Sequence, residues 1–265
     1  MDIAIITSDK DPASVNIRKQ LLGMHDFREE DGHHAMESGG SKLSLYCFDS
    51  ELVFLDEIDK VVSANIFIFA SRHVSKAGVD AFTVHVPGNW GRADFGGVDR
   101  TLCTAPAALL KSAFAELQGN SLGMDAIQEA THHGPFIEKP CMFIEIGSSE
   151  RMYKNEEAGK IVASAIVNAA KNSGRISKSI KSAVGIGGPH HCPDFKKIML
   201  ETDISVSHIC PKYALESLDS EMLLQSMEKT EPRAGLVVLD WKGLGSFKEK
   251  VKKLIDESGK ESTRT

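Results

Sequence analysis

The stretch Asn65-Ile66-Phe67-Ile68-Phe69-Ala70-Ser71-Arg72-His73 decides how this chain folds. Residues 65–70 form an apolar run without alternation, the pattern of a central strand covered on both faces. The run ends in a polar tripeptide that carries a histidine. Four further segments repeat this layout: Thr83-Val84-His85, Glu129-Ala130-Thr131-His132-His133-Gly134-Pro135, Gly187-Gly188-Pro189-His190-His191 and Ser207-His208. In each, a β-like run gives way to a loop and a histidine stands at or just past its end. Open α/β sheets build their sites at such strand ends.

Working outward, residues 2–7 read as a buried first strand. Asp11-Pro12-Ala13-Ser14 opens a helix, with proline in the first turn where its missing N–H costs nothing, and Gly23 is a C-terminal stop. Residues 28–42 are polar and glycine-containing and read as a loop. Residues 43–48 and 52–55 read as a pair of strands. Residues 81–86, 126–131, 141–146, 180–186, 204–209 and 235–239 read as further strands, and 106–117, 150–170, 195–200, 218–227 and 246–255 as helices. Residues 91–101 read as an exposed connection, and the tail from 258 as frayed. Strands alternating with helices imply βαβ units and a largely parallel sheet. No repeat or low-complexity linker divides the chain, so one domain over 1–265 is expected, with loops 28–42 and 87–101 as candidate lids or rims.

The 265 residues carry a formal net charge of −6, with 42% hydrophobic and 26% charged residues, ordinary values for a soluble globular protein. The acidic balance excludes a broad pull toward DNA or other nucleic acid; phosphate contacts should be few and local, with a shallow salt dependence. No apolar run reaches the ~20 residues of a membrane span. Five cysteines without paired spacing argue against a disulfide framework and for a reducing, cytoplasmic setting.

A neutral imidazole serves as general base or metal ligand near pH 7. One histidine at a strand end is usually structural; five such segments point to a site. His25, His33 and His34 fall on loop or helix-end surface and are set aside. His132, His133 and His190 offer three nitrogen ligands and a free fourth position, the layout of catalytic zinc. Adjacent histidines on a regular strand point to opposite faces, an objection that a loop relaxes. Glu129 and Glu145 interrupt apolar strands, and a buried acid needs a partner such as an imidazole. Trp90 and Trp241 follow strands and offer stacking surfaces, although rim packing explains them equally well. Lys212 and Tyr213 add a cation and a phenol near His208. The chain has no Gly-x-Ser-x-Gly elbow, no P-loop and no dinucleotide fingerprint, which weighs against serine hydrolases, P-loop NTPases and Rossmann dehydrogenases.

Taken in order, Ser71-Arg72-His73, Thr83-Val84-His85 with Gly88-Asn89-Trp90-Gly91, the segments 129–135, 145–149 and 185–190, His208 with Pro211-Lys212-Tyr213, and Asp240-Trp241-Lys242 resemble the D-aminoacyl-tRNA deacylase family of archaeal and plant type. The resemblance spans nearly the whole chain; each motif is short, but their number and order are specific. It implies an α/β fold of three layers around a mostly parallel or mixed central sheet, phosphorylase/hydrolase-like. It also implies an esterase that cleaves D-amino acids from tRNA and two zinc ions per chain. One motif departs: where the family pattern reads Gly-Gly-Gly-His-Tyr-Ala-Pro, this chain has Gly187-Gly188-Pro189-His190-His191-Cys192-Pro193. Pro189 removes a backbone donor there, and His191 and Cys192 add potential ligands.

The resulting expectation is a water, activated by zinc or by a histidine base, attacking the ester carbonyl. His73, Glu129, His132, His133 and His190 are the catalytic candidates, with Glu129 orienting an imidazole. Arg72, His85, Asn89, Trp90, His208 and Lys212 are the candidates for substrate binding: Asn89 or a glycine turn at the oxyanion, Trp90 under the terminal adenosine. Two rivals stand beside it: a zinc-dependent amidase or carboxypeptidase on a similar fold, and a non-catalytic tRNA-binding module.

Overall fold

The computed structural model describes residues 1–75 and 78–265. In chain order, β1 (Asp2–Ser8) leads to α1 (Pro12–Met24), followed by β2 (Arg28–Glu30), β3 (His33–Ser38) and β4 (Ser41–Phe48). Next come β5 (Ile66–His73), β6 (Ala81–His85) and the short strands β7 (Gly88–Asn89), β8 (Thr101–Leu102) and β9 (Ala105–Pro106). Then follow α2 (Ala107–Glu116), β10 (Asp125–Gln128), β11 (Cys141–Gly147), α3 (Glu150–Tyr153) and α4 (Glu156–Ile176). The C-terminal part holds β12 (Lys181–Ile186), α5 (Pro193–Glu201), β13 (Ile204–Cys210), α6 (Ser220–Glu228), β14 (Thr230–Glu231), β15 (Leu236–Leu239), α7 (Lys248–Ser258) and β16 (Glu261–Arg264).

The expected α/β class with a mixed central sheet is what the chain adopts. The large sheet has the order β10-β6-β11-β5-β1-β4-β3-β2, with β5 near its centre as its unbroken apolar run requires. Strands β4, β1, β5 and β11 run parallel, β6 runs antiparallel to β11, and β2-β3-β4 is an antiparallel meander. A second, all-parallel sheet, β13-β12-β15-β16, carries the C-terminal strands.

Strand alternation divides the side chains of β5, β6 and β11 between two cores. Ile68, Ala70, Phe82, Val84, Met142, Ile144 and Ile146 face α1, α2 and α4 in the main core. Phe67, Phe69, Cys141 and Phe143 face the other way, under Leu52, Ile58, Val62 and Ile137. A third cluster lies under α6 and α7, with Met222, Leu223, Met227, Val251 and Ile255 packed on Val184 and Val237.

Four expectations change. Residues 28–42 are mostly a hairpin: Asp31-Gly32 and Gly39-Gly40 both take positive φ, which makes them two-residue hairpin turns and not loop. The apolar residues 52–55 form a 3-10 turn, Leu52–Phe54, that caps the face of the sheet instead of extending it. The expected helix 150–170 is two helices, because the Asn155 side chain accepts from Ala158 N and starts α4 anew. The tail is not frayed: Glu261–Arg264 adds an edge strand beside β15.

Candidate active site

On the face of the large sheet that carries Phe67, Phe69, Cys141 and Phe143, the same alternation continues into polar residues. Ser71 and His73 follow on β5, Thr83 and His85 on β6, and Glu145 on β11. The site therefore begins as the polar end of an apolar stripe, on a sheet face and not only at strand ends. Two loops cover it: residues 129–135 after β10, and residues 187–192 between β12 and α5. They are pinned together where Ala130 N donates to His190 O at 2.8 Å. Pro87 and His132 form an isolated parallel bridge, and Gly88 N donates to His133 O at 2.7 Å.

Glu129 lies at the centre, 1% exposed. His190 Nε2 is 3.0 Å from its Oε1, His73 Nδ1 is 3.2 Å from its Oε2, and His191 Nε2 is 3.8 Å from its Oε1. Glu145 accepts from Ser71 Oγ at 2.6 Å and Thr83 Oγ1 at 2.8 Å, with His85 Nε2 3.7 Å away. His132 Nδ1 bonds Ala130 O at 2.8 Å and His133 Nδ1 bonds Gly134 O at 2.5 Å. Each carbonyl takes the N–H and leaves Nε2 with its lone pair turned to the cluster. His133 reaches this position with φ +45°, off any regular strand, which lets two adjacent imidazoles point to one place, their ring centroids 4.2 Å apart. Gly147 is required beside them: a Cβ there would stand 2.6 Å from His73 Cδ2.

Burial pushes His85 and His132 well below the usual imidazole range and His133 down to about 4, so all three are neutral. Burial also works against the charge on Glu129, but the surrounding histidines outweigh it and hold its carboxyl well below the usual range. Burial and the Glu129 charge push Glu145 up to about 8, so this second acid is protonated at neutral pH. For His73, burial lowers and the Glu129 carboxylate raises; the carboxylate wins and the pKa is raised.

These residues line a cleft of about 380 Å³ together with Asp11, Glu51, Leu52, Val53, Arg72 and Phe95. Of the catalytic candidates, His73, Glu129, His132, His133 and His190 all meet there. His85, expected at the substrate, lies deeper, against His132 at a ring separation of 4.2 Å. Arg72 lines the mouth, its guanidinium 3.2 Å from Glu51. Four expected contacts are elsewhere. Trp90 is 4% exposed and its indole donates to Ile209 O, a packing position and not a stacking platform. The Asn89 amide donates to Gly96 O and Val98 O, which closes its own loop and leaves no donor for an oxyanion. His208 is fully buried between Thr131 and Lys229, and belongs to the scaffold. Lys212 is exposed on the far side of His190. In the sequence His191 stands only as an added potential ligand and His85 only as a substrate contact; the structure brings both into the cluster, His85 through the pairing of Thr83 with Glu145.

A metal fits these donors. Both nitrogens of His85 and both oxygens of Glu129 are buried without hydrogen-bond geometry to any neighbour, although imidazole nitrogens lie close by. Such atoms converge on shared points instead of on each other. Four sets qualify among the described residues: His85-His132-His133, Glu129-His132-His190, His73-Glu129-His191 and His85-Glu129-Glu145. The expected trio His132-His133-His190 is divided between the first two. Neutral imidazoles with one carboxylate are the ligand types that zinc takes.

A mixed α/β scaffold with neutral imidazoles and one anionic carboxylate in an open cleft has the equipment of a hydrolase. Residues 61–263 match the family model for D-aminoacyl-tRNA deacylase. The D-aminoacyl-tRNA deacylase of Thermococcus kodakarensis is 37% identical over 98% of both chains, and that of Pyrococcus furiosus 36% identical over 97% of both. The chain also superposes at a TM-score of 0.87, with 33% identity, on a crystal structure of a conserved protein of unknown function, covering 100% of this chain and 95% of that one. This chain belongs to the D-aminoacyl-tRNA deacylase family.

Proposed function

We propose that this chain hydrolyses the ester joining a D-amino acid to the 3′ end of tRNA, removing D-amino acids from translation, and does so in the cleft around Glu129. The observation that carries this is that His73, His190 and His191 surround one buried, ionised carboxylate, Glu129, with His132 beside it and His85 and His133 behind His132, in a member of this family.

His85, His132 and His133 would hold one zinc ion; Glu129 with His190 and His191 would supply the ligands of a second. Bound zinc supplies Lewis acidity toward the ester carbonyl. Among the imidazoles, His73 is the one whose basicity is raised, because its Nδ1 faces Glu129. It takes a proton from the attacking water, with Glu129 orienting the ring and stabilising the imidazolium. The same proton then passes to the departing ribose oxygen, leaving free D-amino acid and tRNA. Protonated Glu145 adds no second buried charge beside Glu129. At the mouth the exposed rings are Phe54 and Phe95, with centroids 5.4 Å apart. They offer the terminal adenosine the apolar surface that buried Trp90 does not. Discrimination against L-esters would arise from clashes and unpaired polar groups around the α-carbon.

Single-turnover hydrolysis of a D-aminoacyl-tRNA by His73→Ala tests the assignment. General-base loss predicts a rate reduced about 10²–10⁴-fold; a wild-type rate would remove His73 from the mechanism.

A further inference from the structure

On the side of His190 turned away from Glu129, a second cleft of about 590 Å³ is lined by Gly188, Pro189, Lys212, Tyr213, Gly243 and Phe247, with Glu216 as its one carboxylate. It adjoins the reaction centre through one contact: the Tyr213 hydroxyl lies 3.0 Å from His190 Nδ1, with ring centroids 6.2 Å apart. Its floor is the glycine turn at Gly187-Gly188, where positive φ and the approach of Asp240 leave no room for side chains. The Tyr213 ring is 64% exposed although its hydroxyl is engaged. Lys212 is exposed in its lining and Lys242 is exposed next to the lining residue Gly243; among the described residues neither is in an ion pair, whereas Lys248 lies over the Trp241 ring, 5.5 Å from its centroid. Most other basic side chains facing the main cleft are paired, as Arg72 is with Glu51 and Lys10 with Asp49. Among the described residues, the lining of the catalytic cleft holds Arg72 alone as a cation, and it is paired, while the second cleft has Lys212 in its lining and Lys242 next to it, with aromatic rings beside them.

We infer that this second cleft is the seat of the single-stranded nucleotides that precede the terminal adenosine of the tRNA. A base rests on the Tyr213 ring, with Phe247 beside it, and backbone phosphates lie against Lys212 and Lys242. An aromatic platform next to unpaired lysines is the arrangement that holds single-stranded nucleic acid without reading its sequence. A chain of net charge −6 has to confine its phosphate contacts to such a local group. The inference rests on the substrate proposed above, and binding tests it separately from catalysis.

The probe is a labelled RNA minihelix with the single-stranded 3′ CCA end, compared with the same minihelix lacking those three nucleotides. Binding is read by fluorescence anisotropy over a salt series. The double variant Lys212→Ala/Lys242→Ala weakens binding of the CCA-ended probe about tenfold and flattens its salt slope by about 0.7 per lost contact; it binds the truncated probe as the wild type does. Tyr213→Phe keeps the ring and binds the CCA-ended probe normally, whereas Tyr213→Ala weakens it. Unchanged affinity of the double variant, or equal losses on both probes, would overturn the assignment. Deacylation by the wild type, measured separately, tells a misplaced subsite from a wrong substrate.

Discussion

His132 and His133 stand side by side in the chain, and the structure gives both the same task by taking His133 out of extended geometry. Their Nδ1 atoms are held by backbone carbonyls, so each presents a fixed Nε2 to the cluster. If His85, His132 and His133 hold zinc, His85→Ala and His132→Ala each lower the zinc content per chain, read by elemental analysis of the purified protein. Wild-type content in both would refute the ligand set. His208 supports a different prediction. Its folded pKa is about 4, against 6.5 for a free imidazole, because burial favours the neutral form. The unfolded chain therefore binds the extra proton first. The stabilisation is complete above pH 6.5 and is lost as pH falls from 6.5 toward 4. The urea midpoint should drop across that window, and less steeply in His208→Gln; an equal slope would count against the assignment. For Trp90, the loss of its bond to Ile209 O in Trp90→Phe should cost about 1–2 kcal/mol of stability with KM unchanged.

Strands β5, β6 and β11 are the elements that make the site. Their alternation sends one set of residues to the main core and the other from Phe67, Phe69 and Phe143 into Ser71, His73 and Glu145. The apolar run ending in Ser71-Arg72-His73 is legible in the sequence and places His73; Glu129, His132, His133 and His190 reach it from the loops after β10 and β12. What was not legible depended on direction. β6 runs antiparallel to β11, which sets His85 opposite Phe143 and deep beneath His132, and no spacing in the sequence announces that reversal. Trp90 and Asn89 follow a strand just as a binding residue would; only their hydrogen-bond partners, distant Ile209 for Trp90 and Gly96 and Val98 of its own loop for Asn89, show them as packing. The strands within 28–42 are polar, so no apolar alternation marks them, and Asp31-Gly32 and Gly39-Gly40 show as hairpin turns only in the structure. β11 also ends at Gly147, whose α-hydrogen lies against the His73 ring. Gly147→Ala should displace that ring and reduce kcat with little change in binding of the CCA-ended probe; unaltered kcat would show that the ring has room to move.

Across the whole molecule, two sheets meet at one point. The large sheet contributes His73, His85 and Glu145, and its β10 loop brings Glu129, His132 and His133. The smaller sheet contributes His190 and His191 from the end of β12. The carboxylate that gathers them is buried at this seam, where residues far apart in sequence are held by the Ala130-to-His190 bond. Family membership and the mixed α/β architecture were readable from motif order, whereas the seam itself was not, because the sequence reading expected a single sheet. Selection for the D-ester and metal-assisted cleavage both fall at this seam in the proposed reaction. The direct measurement is the initial rate of hydrolysis of matched D- and L-aminoacyl-tRNA, before and after chelation and after zinc is restored. The expected result is cleavage of the D-ester alone, abolished by the chelator and recovered with zinc. Equal rates on both esters, or full activity in chelator, would contradict it.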